Sequence, residues 1–224
     1  MAAFRIFIAD DHEVVRKGLA ALLQAEAGYE ICGEASDGRA AMEKIRELKP
    51  DVSILDIGMP GLNGLEATRQ IIKDDPRAKV LILTLHDSDQ VVREVLNAGA
   101  RGFLLKSDAA RDLVVAVEAL RRDKTYFTSK VAAMVLEGYL KGGTHSVPVS
   151  VGRDRLTPRE REVVQLLAEG KSTKEVAVAL GLSVKTAETH RSNIMRKLQL
   201  HSVSDLVMYA VRNNIVHVIQ PTLE

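Results

Sequence analysis

Over the first 125 residues the apolar positions follow two alternating patterns. Short runs rich in β-branched residues lie at 4–9, 30–35, 52–55, 79–83 and 102–105. Their length and content predict buried strands. Between them apolar residues recur three or four apart, the spacing of a helix face. The first such set is Val15, Leu19, Leu22 and Leu23, and the second is Ala41, Ile45 and Leu48. Leu65, Thr68, Ile71 and Ile72 follow, then Val91, Val92, Val95 and Leu96, then Leu113, Val114, Val117 and Leu120. Five strands alternating with five helices predict an α/β domain with a parallel sheet and helices on both faces. Ligands of such sheets bind beyond the carboxyl ends of the strands.

The pattern changes near Lys141. Residues 141–150 are poor in helix formers and rich in breakers, which predicts a linker. Residues 129–140 before it read as an extra helix. After Arg155 no strand runs remain, only four short helical patterns at 158–169, 172–180, 183–198 and 202–213. The first opens with Thr157 as cap, Pro158 at the first helical position and Glu160 three residues after the cap. The second ends at Gly181 and the third opens on Ser183, a helix-turn-helix arrangement. The expected division is 1–125, a connecting segment 126–153, and an all-α four-helix domain 154–224.

Composition narrows the class. Hydrophobic residues make up 46% and charged residues 27% of 224, a globular rather than disordered composition. The net charge of +1 excludes a strongly basic nucleic-acid coat but not a local basic patch. Cys32, the single cysteine, cannot form an intramolecular disulfide, which favours a cytoplasmic location. Its apolar surroundings read as those of a buried structural thiol. No apolar run reaches the length of a membrane span, and the N-terminus leads into a strand without a signal peptide.

The candidate chemistry lies at the strand ends. Asp10 and Asp11 follow the first predicted strand, Asp56 ends the third, Thr84 the fourth and Lys106 the fifth. In a parallel sheet these ends share one edge, so the five residues converge. Three crowded carboxylates repel, and a hard divalent cation is their natural compensation. Mg²⁺ takes few carboxylates and bridges to phosphate oxygens. A lysine supplies a point charge suited to phosphate. A threonine hydroxyl can donate to a phosphoryl oxygen, and Asp56 can attack phosphorus.

The motifs Asp10-Asp11-His12, Leu55-Asp56-Ile57-Gly58-Met59-Pro60-Gly61-Leu62-Asn63-Gly64, Leu83-Thr84 and Gly102-Phe103-Leu104-Leu105-Lys106 resemble the receiver domain of two-component response regulators. The resemblance implies a flavodoxin-like fold with Asp56 as phosphoacceptor. It implies Mg²⁺ held by Asp11, Asp56 and the backbone carbonyl of Gly58, with Asp10 supporting it through water. Thr84 and Lys106 would bind the phosphoryl group. Thr84 and Phe103 would form the switch, the ring filling the space that Thr84 leaves; Phe103 lacks the hydroxyl a tyrosine would bring. Gly58 and His86 stand where the family sets the lifetime of the phosphoryl group.

Residues 157–163, 170–177 and 182–198 resemble the LuxR-type DNA-binding domain, so the whole chain resembles the NarL/FixJ family of response regulators. Thr173 stands where Asn is usual, and Ala187 where a larger branched residue is usual. The resemblance implies a regulator phosphorylated by a sensor histidine kinase, which then binds promoter DNA and controls transcription, most often as a homodimer. Stepping 100° per residue along 183–198 puts Ala187, Ile194 and Leu198 on one face, flanked by His190 and Arg191. Lys185, Glu188, Thr189, Ser192 and Arg196 fall opposite, toward the major groove. Lys185 and Arg196 suit phosphate or guanine, Glu188 suits cytosine, and Thr189 and Ser192 are permissive. From Asp154 onward there are 10 basic and 8 acidic residues, a patch small enough to need two copies on DNA. The last helix carries Val203, Leu206, Val207, Ala210 and Val211. In the family this helix dimerises, which makes Val203, Leu206, Val207 and Ala210 candidate dimer contacts as well as core.

Two other classes fit less well. A Mg²⁺-dependent phosphohydrolase with an aspartyl nucleophile would carry Asp-x-Asp at the first strand end, where this chain has Asp10-Asp11-His12. A flavin-binding module would carry a hydroxyl- and glycine-rich loop there. The chain is therefore not expected to be an enzyme beyond catalysing its own phosphorylation and dephosphorylation.

Overall fold

The structure is a computed structural model that describes residues 3–85, 88–127 and 156–216. The expected helix at 129–140, the linker at 141–150 and His86 lie outside the described residues. The chain divides into two compact units, Met1–Val149 and Ser150–Glu224.

In the first unit the elements alternate along the chain. They are β1 (Phe4–Ala9), α1 (Glu13–Gln24), β2 (Tyr29–Ala35), α2 (Gly38–Leu48), β3 (Val52–Asp56), α3 (Gly64–Asp74), β4 (Val80–Thr84), α4 (Asp89–Asn97), β5 (Gly102–Leu105) and α5 (Ala109–Arg121). All four strand pairs are parallel, in the order β2-β1-β3-β4-β5. The order reverses beside β1, which opens a crevice at the carboxyl ends of β1 and β3.

Alternation along each strand builds two cores. Ile6, Ile8, Ile54 and Leu81 point to the face covered by α1 and α5, where Leu19, Leu23, Leu113, Val117 and Leu120 meet them. Phe7, Leu55 and Ile82 point to the other face, against Ala41, Ile45, Leu65, Ile71, Val91 and Val95. Leu22, expected in the α1 stripe, is 38% exposed, because Leu19 and Leu23 already fill that face. Cys32 is half-buried rather than buried, since β2 is an edge strand. Its thiol donates to the Ile6 carbonyl, and burial pushes its pKa up, so it does not present a reactive thiolate. Tyr126 forms a parallel bridge with Gly102, and Phe127 packs on the core. Both belong to this unit although composition assigns them to the connecting segment.

Glycines let the loops close on the sheet. A Cβ on Gly64 would stand 2.0 Å from the Asp56 carbonyl oxygen. Only glycine therefore lets the start of α3, capped by Asn63 on the amide of Glu66, lie against the end of β3.

The second unit is α6 (Pro158–Ala168), α7 (Thr173–Ala179), α8 (Val184–Leu198) and α9 (Val203–Arg212). Its starts are fixed by reciprocal capping boxes at Thr157/Glu160, Ser172/Glu175 and Ser202/Asp205. Gly181, at φ +62°, makes the turn between α7 and α8. Val163, Leu167, Val176, Ile194, Leu206, Ala210 and Ile215 close a small core.

Two glycine substitutions should move stability in opposite directions. Gly18, in α1, has open space around its Cβ position. Gly18→Ala should stabilise by about 0.5–1 kcal/mol. Gly64→Ala should destabilise by about 1–3 kcal/mol, because the backbone of Asp56 must move. Denaturant unfolding followed by circular dichroism measures both.

Candidate functional site: an acidic pocket and a recognition helix

The strand register brings the pocket together. Ala9 pairs with Leu55, Asp56 with Leu83, and Thr84 with Leu105. Asp10 and Asp56 therefore end level, with Thr84 one residue and Lys106 two residues beyond them on the same edge. Asp10 and Thr84 are fully buried, and the Asp56 side chain is 6% exposed. Lys106 Nζ lies 2.7 Å from Asp10 Oδ2 and 3.0 Å from Asp56 Oδ2. Asp11 is partly exposed at the rim. Gly58 is exposed, and its backbone amide donates to the Asp56 carboxylate. Phe103 is buried in the core beneath the edge.

Electrostatics here is a contest. Burial raises the pKa of Asp56 above the ordinary carboxylate value; Lys106 pulls it down, and the charge of Asp10 pushes it up again. For Lys106, burial acts to lower the pKa, but Asp56 and Asp10 together outweigh it and the net shift is upward. One ammonium thus faces two buried carboxylates. Asp10 Oδ2 is paired with Lys106 Nζ at 2.7 Å and Asp11 Oδ1 with His12 Nδ1 at 2.7 Å. Three clustered carboxylates with one lysine between them leave surplus negative charge, which fits a hard divalent cation. Ligand atoms of Asp10, Asp11, His12 and Asp56 lie within 4.8 Å of one another.

Strand-end reasoning placed Asp10, Asp11, Asp56, Thr84 and Lys106 and passed over three residues that shape the pocket. Arg16, one turn into α1, donates to the carbonyl of Asp10. Gly64 sets how closely α3 approaches Asp56. His12 joins the carboxylate cluster. The direct succession of two acids and an imidazole signals the last; the other two show only in three dimensions.

In the second unit Ala187 and Ile194 of α8 are buried, while His190, Arg191 and Leu198 are half-buried. Lys185, Glu188, Thr189, Ser192 and Arg196 are all exposed, along one side. Arg191 donates to Thr173 Oγ1 at 3.2 Å, so the hydroxyl that replaces the usual Asn still joins α7 to α8. Lys197 pairs with Glu160 at 2.7 Å and ties α8 to α6. The dimer candidates on α9 divide. Leu206 and Ala210 are 1% and 0% exposed within the unit's own core, so they have no surface left for a partner. This corrects the expectation for those two. Val203 is 49% exposed and Val207 half-buried, with Met208, 50% exposed, beside them.

Both units match known families. Residues 6–118 match the response regulator receiver domain, and residues 154–210 match the bacterial regulatory proteins of the luxR family. The chain belongs to the NarL/FixJ response regulators. The transcriptional regulatory protein LiaR of Bacillus subtilis is 39% identical over 213 residues, spanning 95% of this chain and 99% of LiaR. The oxygen regulatory protein NreC of Staphylococcus haemolyticus is 38% identical over 215 residues, with the same shares. Among solved structures, the RcsB response regulator of Salmonella typhimurium superposes with a TM-score of 0.62 at 26% identity, over 95% of this chain and 99% of that one. Another structure holds two RcsB dimers on two parallel DNAs, with a TM-score of 0.56 at 28% identity over 94% and 98%. This chain is thus a two-component response regulator that controls transcription by binding DNA. Its family is one of regulators and not of typical enzymes. No helix among the described residues is long and apolar enough to cross a membrane.

The raised pKa of Asp56 carries a sign. A carboxyl whose folded pKa lies above its unfolded value binds more protons folded, so its ionisation costs stability as pH rises. In divalent-free buffer Asp56→Asn should therefore raise the melting temperature at pH 7. The gain should shrink toward pH 4, where the unfolded carboxyl also takes its proton. An Asp56→Asn variant less stable than wild type at pH 7 contradicts the electrostatic description.

Proposed function

We propose that Asp56 is the phosphoacceptor of this regulator and that phosphorylation by a sensor histidine kinase switches its DNA binding. The carrying observation is Lys106 Nζ set between the buried carboxylates of Asp10 and Asp56, at 2.7 and 3.0 Å. A carboxylate oxygen of Asp56 attacks phosphorus, forming a P–O bond while the bond to the donor's leaving group breaks. Lys106 then meets phosphoryl oxygens in place of carboxylate alone, and the Thr84 hydroxyl donates to another. Mg²⁺, held by Asp11, Asp56 and the Gly58 carbonyl with Asp10 behind it through water, would neutralise charge on the phosphoryl group. The phosphoryl group brings about −2 charge into a pocket with one lysine, and this biases the position of Thr84. Phe103, buried beneath, is the side chain proposed to fill the space that Thr84 leaves.

The output is carried by α8. Exposure of Lys185, Glu188, Thr189, Ser192 and Arg196 along one side, opposite the buried Ala187 and Ile194, supports a major-groove contact. A homodimer on promoter DNA is the assembly we favour, with Val203 and Val207 on the exposed side of α9 as candidate contacts; RcsB is found as dimers on DNA. Since Tyr126 and Phe127 pack on the first unit, we take the connection between units to begin after them. Cytoplasmic location accords with a DNA-binding role.

Two experiments test these roles. Incubation with a small-molecule phosphodonor and Mg²⁺ should add one phosphate by intact mass, lost in Asp56→Ala and suppressed by chelator. Full labelling of Asp56→Ala would move the acceptor elsewhere. On DNA, folded Lys185→Ala and Arg196→Ala should weaken binding across all sequences and lower the salt slope by about one. Glu188→Ala and Ser192→Ala should relax preference at one position per half-site, at about 1–3 kcal/mol. Unchanged binding in all four would leave α8 as a merely solvated face.

A further inference from the structure

β5 is an edge strand, so one side of its backbone faces no other named strand of the sheet. The chain returns to cover that side after α5. Tyr126 forms a parallel bridge with Gly102: its amide donates to the Arg101 carbonyl at 3.0 Å, and its carbonyl accepts from the Phe103 amide at 2.9 Å. Gly102 makes room for this approach, since a Cβ there would stand 2.6 Å from Leu81 Cδ1 and 3.4 Å from the Tyr126 carbonyl oxygen. The side chains of Tyr126 and Phe127 then part as they would on a strand. Tyr126 packs on the core beneath α1 and α5, while Phe127 packs on the cluster that contains Phe103. The Tyr126 hydroxyl donates to the Asp112 carboxylate of α5, which Arg111 also holds, at 2.8 and 2.9 Å. Lys106 starts the short turn, Lys106–Asp108, that joins β5 to α5. Tyr126 thus grips both arms of the segment that carries Lys106. From Phe127 the chain runs on toward the second unit.

We propose that Tyr126 and Phe127 form the output strap of the phosphorylation switch, carrying the state of Phe103 and Lys106 into the connection between the units. The inference rests on the reading of Asp56 as phosphoacceptor and of Phe103 as switch. It adds the route by which the change leaves the first unit. A phosphoryl group on Asp56 draws Lys106, and Phe103 turns into the space that Thr84 leaves. Both movements act on groups that the strap holds: the Phe103 amide, the apolar cluster around its ring, and the arm leading into α5. Coupling travels through contiguous packed and hydrogen-bonded groups, and the contacts of Tyr126 and Phe127 are of that kind. Tyr126→Phe removes only a hydroxyl and Phe127→Ala only a ring, and both leave the groups of the acidic pocket in place.

The test labels the full chain with para-fluorophenylalanine and follows its fluorine resonances on adding a small-molecule phosphodonor and Mg²⁺, with phosphate counted by intact mass. Phe4, Phe7, Phe103 and Phe127 are the only phenylalanines, so each signal is assigned by replacing one of them with leucine. Phosphorylation should move the signals of both Phe103 and Phe127, and Asp56→Ala should move neither. Binding is then measured on a duplex enriched from a random pool by the phosphorylated wild type. Phe127→Ala and Tyr126→Phe, folded by circular dichroism, should take up phosphate like wild type but lose at least about threefold of the donor-dependent gain in affinity. Phe127→Leu, which keeps an apolar contact, should retain the gain. If Phe103 moves while Phe127 stays, or if Phe127→Ala and Tyr126→Phe keep the full gain, the strap is not the route, while acceptor and switch stand. If phosphate adds and neither signal moves, the switch reading falls as well. If no phosphate adds, the acceptor reading falls and the strap with it.

Discussion

Two buried carboxylates share one ammonium at the edge of a parallel sheet, and the rest of the first unit serves to hold them there. Asp10 and Asp56 cannot both ionise in an apolar interior without a nearby positive charge. Lys106 supplies it, and its position depends on β5 pairing in register with β4. Asp10 and Asp56 become neighbours because β1 and β3 are adjacent, and Gly64 lets α3 close over the end of β3. The result is a fold that spends part of its stability on a pocket still short of positive charge. Such a pocket suits a cation and, with its help, the phosphoryl group proposed for Asp56. Any event that alters this charge alters the balance among Asp10, Asp56, Lys106 and Thr84 together.

The second unit follows a different rule. Its small core is defined by helix starts that bind their own caps and by a turn that needs a left-handed residue at Gly181. With the core satisfied by Ala187, Ile194, Leu206 and Ala210, the opposite side of α8 carries only polar and charged groups. Lys197 and Arg191 are engaged in holding helices together. The basic residues left on the outer side, Lys185 and Arg196, are those suited to phosphate, while Glu188, Thr189 and Ser192 present groups that can read bases.

Much of this was legible in the order of residues because it depends on local periodicity and on topology. A parallel α/β pattern forces strand ends onto one edge, so Asp10, Asp56, Thr84 and Lys106 could be brought together without coordinates. Helical stepping sorted α8 into a buried and an exposed side because a regular helix obeys one angle per residue. Features set by tertiary packing were not legible. Leu206 and Ala210 read as dimer contacts because an apolar stripe does not say which of its members the unit's own core consumes. Leu22 read as core because four apolar residues fit a stripe that has room for fewer. Cys32 read as buried because the strand's place at the sheet edge is not written in its sequence. His12 acts through its rotamer and Gly64 through the close approach of α3 to the end of β3, and neither leaves a periodic signal.

The measurement that tests the account most directly is selection of DNA from a random pool by the full chain, with and without a small-molecule phosphodonor and Mg²⁺. The account predicts enrichment of a two-fold symmetric site that depends on the donor and disappears in Asp56→Ala. Equal enrichment with and without donor, or an Asp56→Ala selection that still responds to it, would contradict the coupling of the acidic pocket to the recognition helix.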